Sequence, residues 1–196
     1  ELGRLVCRGT VNEEAIASRI RICRGEEITS WYAKGIAGSC MTGSNAWKTE
    51  LLARNPDKVR LVVLDDTVRA LLWTCDDATV VLDRVYPSDR DAVVLLQEWA
   101  AAQGYAYRES DKYCPGQVLL SDGKTHQVTI RRPVHVYPYL DTFSYGRKVG
   151  DHIILSNDES FGEITFHATN GLHCGLHPCK GCGLPLLQSE AYMAAD

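Results

Sequence analysis

No apolar run in this chain approaches the ~20 residues that a bilayer-spanning helix requires. That excludes a membrane-spanning helix and predicts no membrane partner. Basic residues are not in excess either: 21 Lys and Arg stand against 25 Asp and Glu, a formal net charge of −4. A global attraction to nucleic acid is therefore excluded, and only a local basic face can supply one. Internal repeats and low-complexity tracts are missing, which excludes a solenoid or a fibrous chain. Cys7, Cys23, Cys40, Cys75 and Cys114 have no framework spacing. Reduced thiols in a cytoplasmic protein are expected, not a secreted disulfide scaffold. The first residue is Glu1 and not Met, with no signal peptide visible, so a processed product or an excised fragment is expected.

What is present is enough for a core. Hydrophobic residues make up 45% of 196, which suits one large domain or one domain with a small appendage. The densest chemistry is near the end, in His173-Cys174-Gly175-Leu176-His177-Pro178-Cys179-Lys180-Gly181-Cys182-Gly183. Cys179 and Cys182, followed by Gly183, have the spacing that lets two thiolates face one metal. Cys174 and a histidine complete a tetrahedron, with His177 the first choice and His173 the second. Structural Zn²⁺ is the favoured reading, against a redox pair or a surface disulfide.

Periodicity divides the rest. Residues 1–56 read mainly as helices: one after Asn12, one from Glu26 to Lys34 stopped by Gly35, and one from Ala46 to Arg54 ended by Asn55-Pro56. Residues 57–110 change period. Val59–Leu64, Val68–Trp73 and Thr79–Tyr86 read as strands joined by Asp65-Asp66 and Cys75-Asp76-Asp77, an antiparallel meander. Ser88 or Asp89 caps a helix that runs to about Gln103, and Tyr105–Arg108 returns as a strand. Residues 111–170 read as a β-rich extension: a hairpin of Gln117–Leu120 with His126–Arg131, a long ordered loop over 133–150, and late strands at His152–Leu155 and Glu163–His167. Residues 171–196 form the zinc-binding element. The fold class expected is α+β: N-terminal helices on a mostly antiparallel sheet, closed by a zinc-stabilised C-terminal element.

The order strand, strand, strand, helix, strand over Val59–Arg108 resembles the central part of the GNAT acyltransferase fold. In that family the turn before the helix is glycine-rich, and its amides hold the coenzyme A pyrophosphate. Here the turn is Pro87-Ser88-Asp89-Arg90-Asp91, without glycine and with two carboxylates. The segments Ser39-Cys40-Met41, Arg69-Ala70-Leu71-Leu72-Trp73, Asp83-Arg84-Val85-Tyr86 and Tyr137-Pro138-Tyr139-Leu140-Asp141-Thr142-Phe143 are similar to uncharacterised phage-encoded proteins. That resemblance implies a viral origin and host-cell cytoplasm. It implies no activity.

Four further sets of residues carry expectations. Asp83-Arg84 ends an apolar strand, so one of the two faces inward and needs a partner. A buried ion pair with Arg69 or Asp141 is the favoured outcome, against a polar site joined by Arg69 and Tyr86. Cys40 sits before a helix in a small-residue loop, and a packed, unreactive thiol is favoured over a nucleophile. His126, Arg131, Arg132, His135, Tyr137 and Tyr139 mix cations with aromatics; an ordinary solvated sheet edge is favoured over a nucleic-acid patch. The aromatic loop from Tyr137 to Phe143 is expected to fold back over the core, and any protein partner would engage its tyrosines. A non-catalytic binding protein acting on a macromolecule is favoured, with a protein ahead of nucleic acid as its partner. An acyltransferase-like enzyme and a virion component are the alternatives.

Overall fold

The computed structural model describes residues 16–36, 41–110, 117–131 and 140–161, and the backbone of five short strands between 164 and 187. The architecture is α+β with mostly antiparallel sheets. The first sheet has five strands in the order β1 (Ile20–Arg24), β2 (Val59–Leu64), β3 (Val68–Thr74), β4 (Val80–Leu82) and β5 (Ala106–Tyr107). All neighbours are antiparallel except β4 and β5, which run parallel across the intervening helix. The β2–β3 hairpin turns at Asp65 and Asp66, both with positive φ (51° and 56°), the conformation of a type I′ connection that matches strand twist.

Alternation along β3 decides which face covers what. Leu71 and Trp73 join Leu61, Val63 and Val81 on one face. Helix α1 (Glu26–Ala33), a 3-10 turn (Gly43–Thr49) and α2 (Glu50–Ala53) supply Ile28, Trp31, Tyr32, Leu51 and Leu52 to that core. Ala70 and Leu72 point to the other face, with Val62 and Leu82, and pack on Leu96 and Ala100 of α3 (Arg90–Ala102). Among the described residues, no helix is long and apolar enough to cross a membrane.

A second sheet, in the order β6 (Gln127–Arg131), β8 (His152–Ser156), β7 (Tyr145–Val149) and β9 (Ile164–Thr165), is antiparallel throughout. Its inward residues Val128, Ile130, Ile153 and Leu155 belong to the same core as Trp73 and Leu71. Residues 57–110 and the described part of 111–170 therefore share one hydrophobic interior. Polar side chains fix their relative position. Asn55 Nδ2 donates to the carbonyl of Arg131 at 3.0 Å, and Asn55 Oδ1 accepts from the Arg131 amide at 2.7 Å. Asp76 accepts from Lys58 and from Thr129 in β6.

Several expectations are corrected. The segment 1–56 is not simply helical: Ile20–Arg24 is an edge strand, Ile20 and Ile22 packing against the core while Arg21 and Arg24 are exposed, as charged residues on edges are. The helix expected after Asn12 lies outside the described residues except for its helical end at Ile16. The expected hairpin does not form. Leu120 bridges Arg108 beside β5, and β6 pairs with β8 instead. Part of the 133–150 loop is strand β7. The third strand is shorter than Thr79–Tyr86. Leu82 pairs with Leu72 and Tyr86 with Arg69, so four steps (82 to 86) oppose three (72 to 69), and one extra residue makes a bulge.

Candidate functional site

The bulge gathers the charged residues. Asp83 is 4% exposed, and its carboxylate accepts from Trp73 Nε1 at 2.8 Å, from the Arg84 amide at 2.7 Å and from the Thr142 hydroxyl. Trp73 comes from β3 and Thr142 from the segment that enters β7, so one carboxylate ties the two sheets together. Beyond the bulge, Tyr86 and Arg69 exchange both backbone hydrogen bonds (2.8 Å each) and so present their side chains on one face.

There the side chains alternate in a stack. The Arg69 guanidinium carbon lies 4.7 Å from the Tyr32 ring centroid and 4.6 Å from that of Tyr86, while Arg84 lies 4.9 Å from the Tyr86 ring. Desolvated contacts of this kind contribute about 2 kcal/mol each. Tyr86 donates its hydroxyl to Asp141 at 2.8 Å, and Arg84 pairs with the same carboxylate at 3.4 Å. Burial, together with the Asp83 charge, raises the Asp141 carboxyl above the usual range despite Tyr86 and Arg84. Burial and the Asp141 charge push the Tyr86 phenol well above its ordinary value, so it stays protonated and donates.

The structure thus brings Arg69, Asp83, Arg84 and Tyr86 together at one end of the sheet, with Asp141, Thr142, Trp73 and Tyr32 beside them. Arg84 and Asp141 form the expected pair. Asp83 faces inward but is held by Trp73 and Thr142. Sequence reasoning did not give Trp73, Thr142 and Tyr32 these roles. Phe143 folds back as expected, edge-on to Trp73 with ring centroids 5.6 Å apart. Cys40, Arg132, Tyr137 and Tyr139 lie outside the described residues. So do Cys174, Cys179 and Cys182, while His173 and His177 are described only as backbone of the short strands β11 (Leu172–His173) and β12 (Leu176–Pro178).

A second cluster lies where the β3–β4 turn meets β6. Cys75, Asp77 and His126 bring their ligand atoms within 4.8 Å of one another, the arrangement of a group that can hold a metal ion. His126 is 2% exposed, with Nδ1 2.8 Å from Asp77 and Nε2 2.8 Å from Asp122. This corrects its expected place in an exposed basic patch. Arg131 is exposed on β6 but does not share a face with that buried imidazole. Burial, with the Asp77 and Asp76 charges, pushes the Cys75 thiol up to about 12, so it is a thiol unless a metal displaces its proton. The turn itself is fixed locally, by Cys75 N–H to Thr79 O and by Thr79 N–H to Asp77 Oδ1. The local signals for this cluster are the Cys75-x-Asp77 and Asp122-x3-His126 spacings; the two pairs are remote from each other in sequence.

Compared with known proteins, the chain matches no family model, and no curated protein or solved structure is similar to it.

Asp141 sets a pH dependence. Its folded carboxyl is raised above the unfolded value of about 3.9. Between those two values the folded state binds more protons than the unfolded state, so its contribution to stability increases as pH falls. Urea unfolding from pH 7 down to pH 4 should show wild type gaining relative to Asp141→Asn. A difference that moves the other way contradicts the assigned shift.

Proposed function

We propose that the chain is a zinc-containing, non-catalytic binding protein that acts on another macromolecule, a protein in preference to nucleic acid. The resemblance of its motifs to phage-encoded proteins supports a viral origin and action in the host cytoplasm. The observation that carries the non-catalytic reading is the N-terminus of α3. Asp89 caps it, its carboxylate accepting from the Ala92 amide at 3.1 Å, and Asp91 sits in the first turn. In the GNAT family that helix end receives a pyrophosphate. Here a carboxylate of the chain already occupies the Ala92 amide, and two negative charges oppose a third. The acyltransferase reading has one observation in its favour, the parallel β4 and β5 around α3. The acidic cap outweighs it.

The polar cluster supports the same reading. Asp83, Arg84, Tyr86 and Asp141 engage one another or the core, an arrangement that holds a structure rather than moving protons. Zinc is favoured as the metal because thiolate, imidazole and carboxylate are its common donors. The described group Cys75, Asp77 and His126 has that composition. If Nδ1 of His126 takes the metal, Nε2 keeps Asp122 as a carboxylate partner, as metal-bound histidines commonly do. The segment with Cys174, His177, Cys179 and Cys182 offers a second donor set of the same kind.

Two measurements test this reading. Isothermal titration with acetyl-coenzyme A at near-physiological salt should give no binding heat; micromolar affinity would return the chain to the enzymes. Elemental analysis of protein purified without added metal should give at least about one zinc per chain, because ligands that do not preassemble in the unfolded chain make binding part of folding. A folded, metal-free preparation contradicts the zinc assignment.

A further inference from the structure

Arg69 is the anomaly of the sheet end. It is 3% exposed, and it occupies a position whose neighbours on the same face, Leu71 and Trp73, are core. A buried charge normally carries a counter-ion, because removing an ion from water costs several kcal/mol. Arg69 has none among the described residues. Its Nε is buried without any hydrogen-bond partner. The carboxylates at this end of the sheet are committed elsewhere: Asp83 to Trp73, Thr142 and the Arg84 amide, and Asp141 to Tyr86 and Arg84. What holds the guanidinium is the pair of rings, Tyr32 and Tyr86, whose centroids lie 4.7 and 4.6 Å from its carbon. Rings stacked on a planar guanidinium leave its edge as the direction for hydrogen bonds.

We propose that Arg69 is the anchoring cation of a ligand site that takes a carboxylate. The two tyrosine rings hold the fork in one orientation, so little side-chain entropy remains to be lost on binding. A carboxylate matches that fork in geometry, with two parallel N–H···O bonds. It also matches in charge. One monoanion balances one guanidinium that has no counter-ion among the described residues, whereas the second charge of a phosphate would add to those of Asp83 and Asp141 at the same sheet end. Nε is sealed, so the ligand engages the Nη edge. The carboxylate can belong to a small free acid or to the C-terminus of a peptide. Such a site is independent of the partner and the metal proposed above, since it requires only the stack and a guanidinium with no counter-ion among the described residues.

The test uses the full chain, with sodium acetate and a free-acid tripeptide, Gly-Gly-Gly, each titrated at constant ionic strength against sodium chloride. Two readouts are followed: the melting temperature, and the Arg69 Nε–H resonance in ¹⁵N-labelled protein. Both should respond to carboxylate and not to chloride. Arg69→Lys keeps the charge and loses the fork, and should weaken the affinity by at least about tenfold. Equal responses to acetate and to the tripeptide identify a free-acid site. Tighter binding of the tripeptide, lost in its C-terminal amide, identifies a chain terminus. Either result supports the proposal. No carboxylate-specific shift of the wild-type Arg69 resonance overturns it, and so does an undiminished response in Arg69→Lys. The wild-type resonance decides the matter even if the variant does not fold.

Discussion

The described structure depends on one buried carboxylate. Asp83 sits at the bulge after β4, with bonds to Trp73 on one side and Thr142 on the other. Without an acceptor there, an indole N–H and a threonine hydroxyl would be buried unpaired, at about 1–3 kcal/mol each. The same residue directs the chain beyond β4. Its Oδ1 takes the Arg84 amide, which ladder pairing leaves over at the bulge. The strand then resumes opposite Arg69 with Tyr86 in register. The aromatic–cation stack and the Asp141 pair are built outward from that point.

This dependence explains why a charged patch lies inside a protein with an ordinary apolar core. The two sheets meet through Trp73, Phe143, Ile130 and Leu155. A seam that is apolar throughout would fix their separation but not their register. Directional bonds at its ends supply the register: Asp83 at one place, Asn55 with Arg131 and Asp76 with Thr129 at others. The His126 cluster occupies a comparable seam, where the β3–β4 turn touches the start of β6. Metal binding there would join the two sheets through one ion.

Much of the first sheet was legible in the sequence, and the reason is local. Val59–Leu64 and Val68–Thr74 are mostly apolar runs, each interrupted by one arginine, flanking a two-residue acidic turn, and α3 has a capping aspartate and a glycine stop. Grouping Arg69, Asp83, Arg84 and Tyr86 needed only strand alternation and a meander register. Strand β1 was hidden because Ile20–Arg24 is short, and two of its five residues are the arginines of a solvated edge. The pairing of β6 with β8 was hidden because a local turn signal at Ser121–Lys124 exists but joins other partners: its ends serve β5 and β6, not each other. Cys75 and His126 come together only through the tertiary contact of two sheets, which no local spacing encodes. Nor could the lack of a counter-ion for Arg69 among the described residues be read from composition, because Asp83 and Asp141 first had to be placed.

The central claim is that Asp83 couples the sheets, and a double-mutant cycle tests it most directly. Trp73→Phe removes one donor to Asp83 and Thr142→Val removes the other. Unfolding free energies of wild type, both single variants and the double variant give the coupling between two side chains that share that carboxylate. Shared networks give interaction energies of about 0.5–3 kcal/mol, and the account predicts a value in that range. The coupling should collapse when the cycle is repeated in an Asp83→Ala background. Additive single effects, within error and with Asp83 present, would contradict it.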